Sequence, residues 1–154
     1  MSYWLLKSEP EVFGIEHLAG RPKRTSTWDG VRNYQVRNML RDDFKVGDLG
    51  FFYHSSCAVP GIAAVVEVVR AGYPDASAFD RKNQYFDADS KPDAPRWYAV
   101  DVRLKQRLKR IITLDELRAH GTRELDGLLL LRRGNRLSIT PVNAAHWRFI
   151  LSLE

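Results

Sequence analysis

Hydrophobic positions along the chain fall into short runs separated by polar, turn-forming stretches, and most of the runs have the length and composition of strands. Tyr3 to Leu6 is an aromatic and aliphatic run stopped by Pro10, and Val12 to Leu18 then reads as one or two helical turns that Ser8 is placed to cap. Arg21 to Thr27 is basic and polar, a loop by composition that delivers Trp28 into a turn before Asp29-Gly30. Helix-compatible residues from Asn33 to Leu40 lead through Lys45-Val46-Gly47-Asp48, a turn, into a strand from Leu49 to Tyr53. A small-residue loop from His54 to Gly61 precedes the long apolar run Ile62 to Val69, whose β-branched residues predict a buried strand. Residues 49 to 69 should therefore form a hairpin with a wide loop.

Residues 72 to 95 are rich in Asp, Pro, Ser and Lys but hold Tyr73, Phe79, Tyr85 and Phe86, the composition of a loop packed against the body. From Trp97 to Leu104 the pattern alternates, with Tyr98, Val100, Val102 and Leu104 on one face and Trp97, Ala99, Asp101 and Arg103 on the other. A basic continuation to Ile112 leads into a short helix, with Thr113 as its cap, Glu116 completing a capping box and Gly121 ending it. Leu137 to Ile139 reads as a last strand and Pro141 to Leu151 as a closing helix. Strands interrupted by short helices, without regular βαβ alternation, predict an α+β mixed barrel and disfavour a doubly wound nucleotide-binding fold.

Length agrees with this: 154 residues at 44% hydrophobic composition suit one domain, residues 1–154, with one sizeable core. No stretch approaches the roughly 18 consecutive apolar residues of a membrane span, and the first residues lack the pattern of a secretory signal. A soluble, cytoplasmic protein is the expectation, with a monomer as the default state. Cys57 has no second cysteine to bridge, and His17, His54, His120 and His146 lie far apart in sequence, so neither a metal nor a cofactor is expected.

Charge narrows the choice of partner. The net charge of +5 favours a polyanion only mildly, because 19 acids offset the cations. More informative are the clusters Arg21-Pro22-Lys23-Arg24, Arg32 with Arg37 and Arg41, Lys105 to Arg110, and Arg132-Arg133 with Arg136. Of the four tryptophans, Trp4 and Trp147 lie in apolar patterns and belong in the core, whereas the polar neighbours of Trp28 place its ring near a surface. Trp97 starts a strand beside Arg96 and suits either a core or a pocket wall. Two such rings one base apart would sandwich a nucleobase, worth about 1–3 kcal/mol, while cations held the flanking phosphates. The alternative is an enzyme acting on a nucleotide or small anionic metabolite through His54 with Ser55 or Cys57. No glycine-flanked nucleophile elbow, phosphate-cradling loop or recognisable carboxylate pair accompanies those residues, so no catalytic role is assigned. An adaptor module with a vestigial pocket is a third reading.

Several segments occur together in a recurring order: Tyr3-Trp4-Leu5-Leu6-Lys7-Ser8-Glu9-Pro10, Trp28-Asp29-Gly30-Val31-Arg32-Asn33-Tyr34-Gln35, Phe52-Tyr53-His54-Ser55, Pro60-Gly61-Ile62-Ala63, Arg96-Trp97 and Arg136-Leu137-Ser138. Through them the chain resembles the EVE domain, from residue 3 to about residue 150. That resemblance implies a PUA-like fold, a small mixed β-barrel with short flanking helices, related to the YTH domain that reads methylated adenine in RNA. It further implies a nucleic-acid-binding reader of a modified base, either modified cytosine in DNA or a methylated base in RNA, held in an aromatic cage. By position, Trp28 and Trp97 resemble the cage residues. Ser8, Asn33 and Ser55, with His54 beside it, fall where the base edge would be read, and Lys7, Arg32 and Arg136 where phosphates would be held.

Overall fold

The computed structural model describes residues 1–154 and has one six-stranded sheet in the order β2-β5-β4-β3-β1-β6. The strands are β1 (Tyr3–Ser8), β2 (Thr25–Trp28), β3 (Leu49–His54), β4 (Gly61–Pro74), β5 (Tyr98–Thr113) and β6 (Ile139–Val142). Consecutive strands β3, β4 and β5 pair antiparallel, as the predicted hairpin requires. Only β1 and β3 run parallel, and the long crossover between them carries α1 (Pro10–Phe13), α2 (Ile15–Ala19), β2 and α3 (Tyr34–Asn38). The remaining helices are α4 (Leu114–Ala119) and α5 (Ala144–Leu151).

Both faces of the sheet are buried, which is why its central strands read as unbroken apolar runs. Leu6 pairs with Phe52 and Phe52 with Ala64, and all three enter a core of 18 buried residues shared with Ile15, Leu18 and Val36 of the crossover helices. Leu5, Phe51 and Val65, one position earlier or later, enter a second core of 13 with Leu117, Trp147 and Ile150 of α4 and α5. The first core draws residues from all six strands. Register shifts within the β4–β5 ladder bend and twist the long strands, giving the PUA-like α+β architecture expected.

Trp4 and Trp147 are core residues as anticipated: Trp4 stacks on Phe44 at 4.2 Å, and the Trp147 ring meets Tyr3 at 4.6 Å and Phe51 at 3.9 Å. Four local expectations change. Trp28 is not in a turn but ends β2, opposite Val100. Pro141 belongs to β6, whose edge position tolerates the missing donor, and the closing helix starts later, with Asn143 Oδ1 accepting from His146 N at 2.7 Å. Thr113 Oγ1 does accept from Glu116 N at 3.1 Å, but the Glu116 carboxylate turns to Arg110 instead of completing the box. Ser8 caps no helix; its Oγ donates to the Phe13 carbonyl at 2.6 Å. No helix is long and apolar enough to cross a membrane.

Candidate functional site

A cleft of about 780 Å³ opens where β1 ends, bounded by α1, the end of β2 with the segment that follows it, the tip of the 75–97 loop, and Ser138. Its shape depends on one buried carboxylate. Asp75, 1% exposed, accepts from Ser77 N (2.9 Å) and Ser77 Oγ (2.6 Å) at Oδ1, and from Gly30 N (2.9 Å) and Arg32 Nη1 (3.1 Å) at Oδ2. Burial pushes this carboxyl up, but the hydrogen bonds from Ser77, Gly30 and Arg32 prevail and hold it below the usual carboxylate range. Gly30 is required twice over: its φ is +76°, and a Cβ there would lie 2.6 Å from the Tyr85 ring.

Arg32 ties the two sides together and is therefore not a free phosphate ligand. Besides Asp75, its guanidinium donates to the carbonyls of Val31 (2.8 Å) and Tyr85 (2.6 Å) and to Ser77 Oγ (3.3 Å). It also lies over the rings of Tyr85 and Trp97, at 5.6 and 5.3 Å.

Trp97 does not line the cleft, and the expected sandwich with Trp28 is not formed. Its ring is 5% exposed, stacks on Tyr34 at 4.8 Å, faces the Arg32 guanidinium, and donates from Nε1 to Asp87 at 2.6 Å. All three contacts are within the fold. Trp28 does line the cleft, although it is 9% exposed and packs edge-on against Phe52 at 5.7 Å. The other aromatic groups in the lining are Phe13 and Tyr85.

Among the polar residues expected at the site, Lys7, Ser8 and Asn33 reach the cleft. Lys7 has no carboxylate partner, and burial lowers its ammonium pKa. Asn33 uses Oδ1 to cap α3, accepting from Val36 N at 3.0 Å, which leaves its amide NH₂ unpaired at the rim. Ser55 and His54 lie outside the lining. The Ser55 N–H serves the Ser8 carbonyl (2.9 Å), and His54 Nε2 accepts the Ile15 N–H at 3.1 Å, closing the start of α2 while His17 Nδ1 accepts from Gly14 N. Burial lowers the His54 pKa, consistent with an acceptor nitrogen. No hydrogen bond links His54 to Ser55 or Cys57, so the nucleophile–base unit of the enzymatic reading is not assembled. Arg136 is exposed outside the lining, two residues before Ser138, which is in it.

Sequence reasoning missed Asp29, Tyr85 and Arg21, all in the lining. Tyr85 carried a signal, being an aromatic in a polar loop. Asp29 and Arg21 carried none beyond their place next to Trp28 and in a basic cluster.

The fold is thus an α+β, PUA-like domain whose cleft is lined by Phe13, Trp28 and Tyr85 together with Lys7 and Arg21. The chain belongs to the EVE domain family, whose pattern matches residues 2–153. Human Thymocyte nuclear protein 1 is 44% identical over 168 residues, covering 99% of this chain and 74% of the relative. Uncharacterized protein C21.03c of Schizosaccharomyces pombe is 40% identical over 163 residues, covering 99% and 68%. Among solved structures, human THYN1 protein in complex with 5-methylcytosine containing DNA matches with a TM-score of 0.94 at 43% identity, covering 99% of this chain and 97% of that one. A Pseudomonas putida protein matches at 0.91 and 46% identity, covering 98% of both chains.

Proposed function

We propose that this protein reads a modified cytosine in DNA by lodging the base in the cleft against Trp28. The observation that carries the reading is the cleft itself: aromatic groups Phe13, Trp28 and Tyr85 beside Lys7 and Arg21, two cations with no carboxylate partner, Arg21 lying over the Phe13 ring at 5.3 Å. The close likeness to a protein bound to 5-methylcytosine DNA supports the same class of ligand. The base comes from a single strand or is flipped out of a duplex, and flipping costs a few kcal/mol that stacking and phosphate contacts must offset. Trp28 and Tyr85 supply the stacking surface, about 1–3 kcal/mol per base, and Lys7 and Arg21 draw in the backbone. A buried methyl group adds only about 0.8 kcal/mol, roughly fourfold in affinity, so the rest of the preference comes from the polar groups of the cleft.

The test is a titration of oligonucleotides that differ in one base, carrying 5-methylcytosine, cytosine, N6-methyladenine or adenine, in DNA and RNA. The wild type should favour the methylated cytosine strand of DNA. Trp28→Ala should abolish that preference, and Tyr85→Ala, which spares the core, should weaken binding of the methylated strand by about 5- to 150-fold. Equal affinity for every strand, varying only with salt, would refute the reading.

A further inference from the structure

Asp29 directly follows Trp28, lines the cleft, and its carboxylate accepts no hydrogen bond from another residue and forms no ion pair. Its acidic neighbour Asp75 is saturated with four donors. We infer that the Asp29 carboxylate accepts a hydrogen bond from the exocyclic amino group of the lodged base, so that the cleft takes cytosine-type bases and rejects thymine. This rests on the reading above and adds its specificity element.

Donors and acceptors of the cleft and of cytosine are complementary. An ionised carboxylate accepts only, whereas Lys7 Nζ and the free Asn33 amide NH₂ donate. Cytosine presents one amino donor, N4, next to two acceptors, N3 and O2. Thymine puts the O4 acceptor where N4 was, so its lone pairs would face the carboxylate and both would be left unpaired. 5-Methylcytosine and thymine carry the same methyl group on the same ring and differ at position 4 and at N3, an acceptor in cytosine and an N–H donor in thymine. Stacking and methyl burial cannot tell them apart; the group at position 4 can. Hydrolytic deamination of 5-methylcytosine produces thymine, so an acceptor at this place makes the cleft blind to the decay product of its own ligand.

The surroundings favour this use. Burial, and after it the charge of Asp75, push the Asp29 carboxyl up, against opposing hydrogen bonding from its own backbone and the charges of Arg32 and Arg21. Asp29 stays in contact with solvent while the cleft is open. A ligand that closed the opening without offering a donor would strand the carboxylate, whereas an amino group satisfies it.

The experiment uses the full chain and single-stranded DNA with 5-methylcytosine, cytosine or thymine at one position. Wild type should prefer 5-methylcytosine to thymine by about 5- to 150-fold, the discrimination typical of base-edge hydrogen bonds. In Asp29→Asn the side chain can turn its NH₂ toward O4, so this ratio should fall at least tenfold, chiefly through tighter thymine binding. Asp29→Ala should weaken 5-methylcytosine binding and lift the penalty on thymine, so the two bases bind nearly alike. An unchanged ratio in Asp29→Asn, with melting temperature preserved, overturns the inference, as does a wild type that does not separate the two methylated bases. Failure of the modified-base reading looks different: the wild type would then bind cytosine and 5-methylcytosine alike while still rejecting thymine.

Discussion

His54 spends its acceptor nitrogen on a backbone N–H, and that fixes how it titrates. The unfolded chain takes up this proton near the ordinary value of 6.5, but the folded chain, with the ring buried and Nε2 engaged, takes it up only at lower pH. The unfolded state therefore binds more protons just below 6.5. The contribution of the ring to stability is complete above that pH and declines as pH falls toward the folded value. His54→Gln keeps an acceptor without a titrating group, so melting temperatures followed from pH 7.5 to 5 should fall less steeply for the variant. Trp97 teaches a related lesson. Its identity and position both suited a pocket wall, and only Tyr34 and Arg32, distant in sequence, show that its faces are already taken. That Trp28 lies near the surface of a cleft was legible from its polar neighbours, because those neighbours are themselves part of the lining.

At the scale of elements, the 75–97 loop owes its place to the Arg32–Asp75 pair, with the arginine side chain 25% exposed and the aspartate fully enclosed. Removing Arg32 leaves a buried carboxylate without its cation, which costs about 3–5 kcal/mol for enclosed pairs and less for one partly open to water. Arg32→Ala should lose about 2–4 kcal/mol in chemical denaturation, with faster amide exchange concentrated in residues 75 to 97. The strands with alternating or continuous apolar sequence were readable in advance: β3, β4 and β5 lie where Phe51, Val65 and Val102 predicted. Strand β2 was not, because Thr25-Ser26-Thr27 is polar and pairs on one side only, as the sheet's edge. Pro141 misled for the same reason, since an edge strand accepts what a central strand refuses.

At the scale of the whole molecule, the arginines of β5 and the cations near the cleft differ in how they are paired. Arg103, Arg107 and Arg110 on β5 pair with Glu67, Glu16 and Glu116, whereas Lys7, Arg21 and Arg136, in or near the cleft, have no carboxylate partner. Net charge alone could not reveal this division, because pairing depends on the fold. Binding measured against salt should show it: removing one cation that neutralises a phosphate lowers the slope of log K on log salt by about 0.7 for single strands. Arg21→Ala and Arg136→Ala should each reduce the slope, and Arg103→Ala should leave it unchanged. The place of β1 in the sheet has a further effect. Strand β1 lies between β3 and β6, and Lys7 N donates to the Ser138 carbonyl at 2.8 Å, so the first and last strands meet beside the cleft. A ligand seated there touches both, and its binding energy resists their separation. The occupied protein should open last at the seam where, without a ligand, only a four-residue edge strand is paired to β1.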